Sequence, residues 1–217
     1  MADVRSRIAR RAAMEFRDGQ VVNLGIGMPT LAANYVPDDV TIVLQSENGF
    51  VGMGPSPEPG HEDPDLINAG NQYVTVLPGA AFFDSALSFA IIRGGHVDLT
   101  VLGALEVDEL GNIASYIIPG KLVAGMGGAM DLCTGARRVI IAITHCDKRG
   151  NPKIRTRCSL PLTAVEEADL IITEKAVIER TSDGLVLLEV AEDSSIDEVV
   201  SLTEAKLIVP PRVGSFA

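Results

Sequence analysis

Ser46-Glu47-Asn48-Gly49 follows the apolar run Val40-Thr41-Ile42-Val43-Leu44. A β-branched run broken by a polar turn reads as a buried strand ending at the carboxyl edge of a sheet, where open α/β folds collect their ligands. Asn48-Gly49 supplies the turn, and Gly52, Gly54, Pro55, Pro57 and Pro59 follow. Glu47 is thereby presented on a glycine-lined ledge that a bulky acyl group can approach. The plainer alternative is an acid in a solvated turn.

Gly25-Ile26-Gly27-Met28-Pro29 lies between a predicted strand and a predicted helix, the context of a phosphate-binding turn. With Glu47 about twenty positions on, it approaches a dinucleotide fingerprint, but Thr30 stands where the third glycine belongs. Gly120 to Gly128 is glycine-dense, which exposes backbone amides and suits an oxyanion site. A flexible structural loop is the alternative. Lys121 within it can meet a phosphate or a carboxylate, or simply be solvated. His61-Glu62-Asp63-Pro64-Asp65 lacks the spacing of a metal site, and no metal is expected. Cys133, Cys146 and Cys158 form no Cys-x-x-Cys pair and are expected to be free thiols in a reducing compartment.

The elements that must position these residues alternate between strand and helix. Val4 to Arg17 has apolar residues at helical spacing and a stop at Gly19; its arginines read as a solvated face or, alternatively, a partner-docking one. Strands are predicted at Val21 to Leu24, Val40 to Leu44, Val74 to Leu77, Val97 to Leu102, Val139 to Thr144, Leu170 to Thr173 and Leu185 to Val190. Helices are predicted from Thr30 to Tyr35, from the Asp84 cap to Ile92, and after a Ser195/Glu198 capping box. Glu106 to Tyr116 reads as a hairpin. The expectation is one α/β domain over residues 1–217, with an open, mostly parallel sheet carrying some antiparallel strands.

Composition sets further bounds. The net charge is −11, which argues against nucleic acid. It also leaves an anionic ligand short of positive groups unless a partner supplies them. No apolar run reaches the roughly 18 residues of a membrane span, and the N-terminus lacks the apolar core of a signal peptide. A cytoplasmic protein without membrane contact is expected.

Five segments occur in order: Asn23 to Thr30, Leu44 to Gly49, Asp63 to Gly70, Ile118 to Lys121 and Gly125 to Leu132. Together they resemble the β subunit, or C-terminal half, of class I 3-oxoacid CoA-transferases, over about Arg5 to Val209. The resemblance implies an open three-layer Rossmann-like fold of the CoA-transferase type. It implies Glu47 as covalent nucleophile and Gly128 as donor of an oxyanion N–H, with Gly127 beside the thioester. Asn23, Gly25, Gly27, Asn48, Gly49 and Lys121 complete the expected CoA-binding set. CoA is then a substrate, and no tightly bound cofactor is implied. The resemblance also implies an obligate α subunit, in an αβ or α2β2 assembly. The family's Gly-Asp-(Leu/Ile)-Ala-Asn-(Trp) is replaced here by Gly111-Asn112-Ile113-Ala114-Ser115-Tyr116, which bears on the acyl pocket.

The residue inventory suits this chemistry. A glutamate side chain is ionised at neutral pH and a thiolate is a competent leaving group, so acyl transfer needs no histidine. It needs oxyanion stabilisation and exclusion of water. An acyl-CoA hydrolase on the same scaffold and a non-catalytic nucleotide-binding subunit are the alternative readings.

Overall fold

The computed structural model describes residues 3–123 and 125–217. In chain order the elements are α1 (Val4–Ala13), β1 (Val21–Leu24), a 3-10 helix (Pro29–Tyr35), β2 (Val43–Ser46), β3 (Phe50–Met53), β4 (Val76–Phe82), α2 (Ser85–Arg93) and β5 (Leu99–Leu102). Then come β6 (Glu106–Asp108), β7 (Ile113–Ala114), β8 (Ile117–Ile118), β9 (Leu122–Val123), α3 (Ala129–Gly135), β10 (Val139–Ala142) and β11 (Ile154–Arg155). The chain closes with β12 (Leu170–Ile172), β13 (Ala176–Thr181), β14 (Gly184–Ala191), α4 (Ile196–Leu202), β15 (Leu207–Ile208) and β16 (Gly214–Phe216).

Eleven strands form the main sheet, in the order β15-β14-β13-β12-β10-β5-β1-β2-β3-β4, with β16 also on β14. The centre, β2-β1-β5-β10-β12, is parallel. Antiparallel strands β3 and β4 extend one side, and β13 and β14 the other. Alternation along the strands feeds two cores. Val22, Leu99, Val101, Ile140 and Ile172 pack beneath α1 and the 3-10 helix, with Ile8, Ala12 and Phe16. Leu102, Val139, Ile141 and Ile171 face the opposite layer, with Ile92 of α2, Leu132 of α3 and Val199 of α4. This is the expected open three-layer arrangement.

Several boundaries differ from the sequence reading. The strand predicted at Val40 to Leu44 begins three residues later, because the preceding backbone is engaged elsewhere. Asp18 Oδ1 accepts the Thr41 N–H at 2.8 Å and the Thr41 carbonyl accepts the Gly19 N–H at 2.7 Å. α1 stops at Ala13, where the N–H groups of Met14, Glu15 and Phe16 bond three residues back and tighten the last turn. Two of its arginines are engaged within the chain, Arg11 by a two-point contact with Glu189 and Arg7 by one with Asp193, while Arg5 and Arg10 are exposed.

β4 runs on past Leu77 to Phe82, carrying Pro78, which an edge strand tolerates. Asp84 caps α2 through the Leu87 N–H, and Ser195 caps α4 through that of Glu198. Glu198 does not complete a reciprocal box; its carboxylate pairs with Lys175 at 2.6 Å.

Candidate active site around Glu47

The site grows from the end of β2. Ser46 pairs with Phe50 across the β2–β3 hairpin, so Glu47-Asn48-Gly49 is its loop. Gly49 is held at φ +128°, and a Cβ there would collide with the carbonyl oxygen of Phe83. That carbonyl is drawn close because the Phe83 N–H donates to Gly49 O at 2.8 Å. Glycine is therefore required at this corner twice over, by dihedral and by space.

The Asp63 to Gly70 segment folds across the hairpin. Asn48 donates its side-chain amide to Ile67 O at 2.7 Å, and the Ala69 N–H donates to Ser46 Oγ at 3.1 Å. Asn68 turns the segment by accepting the N–H groups of Gly70 and Gln72. Asn48 thus clamps the Glu47 loop from outside.

Glu47 itself is half-buried. Its Oε2 receives the Asn23 side-chain N–H at 3.3 Å, while the same amide donates to Gln45 Oε1 at 2.7 Å. Its other oxygen, Oε1, lies 3.1 Å from where a Cβ on Gly128 would sit. Gly128 has φ −83°, so its backbone places no demand on residue type. The closeness of the carboxylate does. Asn23 and Gly128 therefore bracket the two oxygens of Glu47. Thr30, Met53, Asn68 and Gly70 enclose a cavity of about 20 Å³ beside it.

Other expected site residues are placed differently. Gly25 is packed against β5: its N–H donates to Val101 O at 2.8 Å, and a Cβ would lie 3.0 Å from the Leu102 side chain. Gly27, at φ +88°, is open, and Thr30 Oγ1 donates to its carbonyl at 2.7 Å. The turn leads into a 3-10 helix, which removes the α-helical N-terminus on which a dinucleotide pyrophosphate rests.

Lys121 does not share the cavity beside Glu47. It lines a separate hollow of about 450 Å³ with Arg149, Lys153 and Arg155. A trough of about 780 Å³ along the carboxyl edge shares Ile26 with the Glu47 cavity and Lys153 with that hollow, whose wall also carries Glu106 and Asp147. Gly127, at φ +52°, precedes Gly128 in the turn before α3. Ala124, within the glycine-dense run, lies outside the described residues.

The thiols are poor nucleophiles. Burial pushes Cys133 and Cys158 up to about 12 and raises Cys146 as well. The acidic side chains of the His61 loop serve its own backbone, Glu62 accepting from Gly60 N–H and Asp63 from Asp65 N–H. Asn112 is tied to Asp108 and to the Glu166 N–H, and Ser115 to Thr163; both brace the β6–β7 hairpin. Two residues passed over in the sequence reading stand directly behind the site. Gln45 and Ser88 are both buried and bonded to one another at 3.2 Å. A glutamine inside an otherwise apolar strand was the available signal for the first; the second reads in sequence as an ordinary helical serine.

Comparison with known proteins accords with this geometry. The coenzyme A transferase family model matches residues 5–202. The beta subunit of acetate CoA-transferase from Escherichia coli is 54% identical, over 95% of this chain and 94% of its own length. The corresponding subunit of the Helicobacter pylori succinyl-CoA:3-ketoacid coenzyme A transferase is 50% identical, over 95% and 99%. An acyl-CoA transferase apoenzyme from Escherichia coli O157:H7 superposes with a TM-score of 0.77 at 23% identity, over 99% of this chain and 43% of that one; it speaks for the fold alone. With a family match across nearly the whole chain and close relatives along their full length, this protein belongs to the coenzyme A transferase family.

Proposed function

We propose that this chain is the catalytic β subunit of a CoA-transferase that moves CoA between a short-chain acyl-CoA and a 3-oxoacid such as acetoacetate, through a covalent thioester on Glu47. The observation that carries the reading is the placement of the Glu47 carboxylate, one oxygen held by Asn23 and the other set against Gly128. In the first step a Glu47 oxygen attacks the thioester carbonyl, with the Gly128 N–H facing the developing oxyanion. The C–S bond breaks, leaving an acyl–glutamyl anhydride and CoA thiolate. The thiolate then attacks the glutamyl carbonyl, the donor acid leaves as carboxylate, and Glu47 carries CoA as a thioester. The acceptor acid reverses both steps. Protons are neither taken up nor released, so the transfer requires no acid–base side chain.

The carboxyl-edge trough supports a long, partly apolar ligand. Lys121, Arg149 and Lys153 in the neighbouring hollow, where basic residues outnumber Glu106 and Asp147, support a phosphorylated one. A partner α subunit is supported by the names of the two relatives and by the surface beside the site. Edge strand β4 and α2 expose Leu77, Phe82 and Leu87, and Asp84 is the one charged residue from Tyr73 to Ile92. The unpaired thiols support a reducing, cytoplasmic setting.

The test is CoA exchange across a panel of short-chain and 3-oxo acids, using this chain co-expressed with its α subunit. Transfer to acetoacetate or a related 3-oxoacid is expected, together with its loss in Glu47→Gln, where an amide of the same volume replaces the nucleophile. Near-normal turnover by Glu47→Gln would overturn the mechanism. Release of free CoA with no acceptor acid present would favour a hydrolase.

A further inference from the structure

Asn23 in β1 stands in register with Gln45 in β2 and with Thr100 in β5. Neighbours in a parallel ladder share a face, so the three form a polar row across the centre of the sheet. The row lies on the side that packs against α2, where the neighbouring strand positions are Leu102, Val139 and Ile141. All three residues are buried, as is Ser88 of α2 above them. Amides and hydroxyls in such a layer cost free energy that an aliphatic side chain would not. The Thr100 hydroxyl finds no partner among the described residues.

Its hydrogen bonds have one direction. Gln45 Nε2 donates to Ser88 Oγ at 3.2 Å, which turns Gln45 Oε1 toward Asn23. A helical serine can send its own hydrogen to the carbonyl one turn back, leaving its lone pairs for the amide. Asn23 Nδ2 donates to Gln45 Oε1 at 2.7 Å and has two further acceptors at 3.3 Å, Glu47 Oε2 and the backbone carbonyl of Gln45. Asn23 Oδ1 has no partner among the described residues, so the amide is oriented through its NH₂ group alone. Reversing Asn23 would set its oxygen against Gln45 Oε1 and the Glu47 carboxylate, and reversing Gln45 would set its NH₂ group against that of Asn23.

We propose that Gln45 and Ser88 are positioning residues for the transfer reaction. Acting through Asn23, they fix Oε2 of Glu47 and so select Oε1, the oxygen beside Gly128, as the attacking atom. This rests on Glu47 being the nucleophile.

The test is single-turnover formation of the Glu47–CoA thioester, followed by mass spectrometry in the α-subunit complex, for wild type, Ser88→Ala, Gln45→Met and the double variant. Both single variants should form the thioester about tenfold more slowly or worse, with KM for acyl-CoA unchanged. The double variant should be no slower than Gln45→Met alone, because the two residues act as one unit. Rates are taken per folded molecule, so that a purely structural loss appears in the unfolding curve and not in the rate. Wild-type rates in both single variants, or losses that multiply in the double variant, would overturn the proposal. A wild-type complex that turns over without any label on Glu47 would overturn it together with the functional reading, and that outcome is distinct because it appears before any variant is compared.

Discussion

At the scale of single residues, the site depends on one carboxylate being held from both sides. Gly128 illustrates how little tolerance remains. Its dihedral suits any residue, yet a methyl group there would sit 3.1 Å from Glu47 Oε1. Gly128→Ala should therefore leave the unfolding midpoint nearly unchanged while lowering kcat by about 100-fold, the cost of a small misplacement of reacting groups. Steady-state kinetics beside a denaturant titration check both halves. That Glu47 and Gly128 lie side by side was legible in sequence through motifs that the family resemblance made specific. The role of Gln45 was not, because a polar residue in a buried strand announces itself only once its neighbours across the sheet are known. Lys121, expected to meet a phosphate or a carboxylate, lines a hollow with Arg149, Lys153 and Arg155 and not the cavity beside Glu47.

At the scale of elements, the hairpin that carries Glu47 is locked by backbone contacts that side chains cannot replace. Gly49→Ala would bring a Cβ against Phe83 O at a φ that L-residues rarely adopt. It should destabilise the protein by about 2 kcal/mol or more, read as a lower urea midpoint.

A second junction joins the ends of β10, β12 and α4 through His145. Its ring is buried, with Nδ1 3.0 Å from Thr173 Oγ1 and Nε2 2.9 Å from Thr203 Oγ1. The two hydroxyls also donate to backbone carbonyls, Thr203 to Val199 O and Thr173 to Ala176 O. Burial, reinforced by Lys175, lowers the His145 pKa from 6.5 to about 4. The unfolded chain thus binds the proton first as pH falls, and stability that is complete above pH 6.5 declines toward pH 4 by roughly 3 kcal/mol. His145→Gln should flatten that part of the stability–pH curve; an unchanged slope would contradict the assignment.

The parallel strands, the α2 cap and the β6–β7 hairpin were readable from apolar runs and turn residues. β3 and β13 were not: each follows directly from the turn after another strand, and its antiparallel pairing is a tertiary choice that the apolar pattern does not encode.

At the scale of the whole molecule, the chain presents an unfinished surface. From β4 into α2, apolar side chains face outward beside the Glu47 hairpin, with Phe82 62% exposed. Covering that face with the α subunit would exclude water from an anhydride that water would otherwise destroy. Phe82→Asp and Leu87→Asp should weaken the heteromeric complex on size exclusion and lower activity in proportion to the free subunit. The purified single chain should show no transfer.

The most direct test of the covalent reading uses the assembled enzyme, acyl-CoA and no acceptor acid. Borohydride reduces a thioester but leaves a carboxylate untouched. The account predicts inactivation only after exposure to acyl-CoA, with Glu47 in the Ser46-Glu47-Asn48-Gly49 peptide converted to the corresponding alcohol. An unmodified Glu47 peptide from fully inactivated enzyme, or modification at Cys133, Cys146 or Cys158 instead, would contradict it.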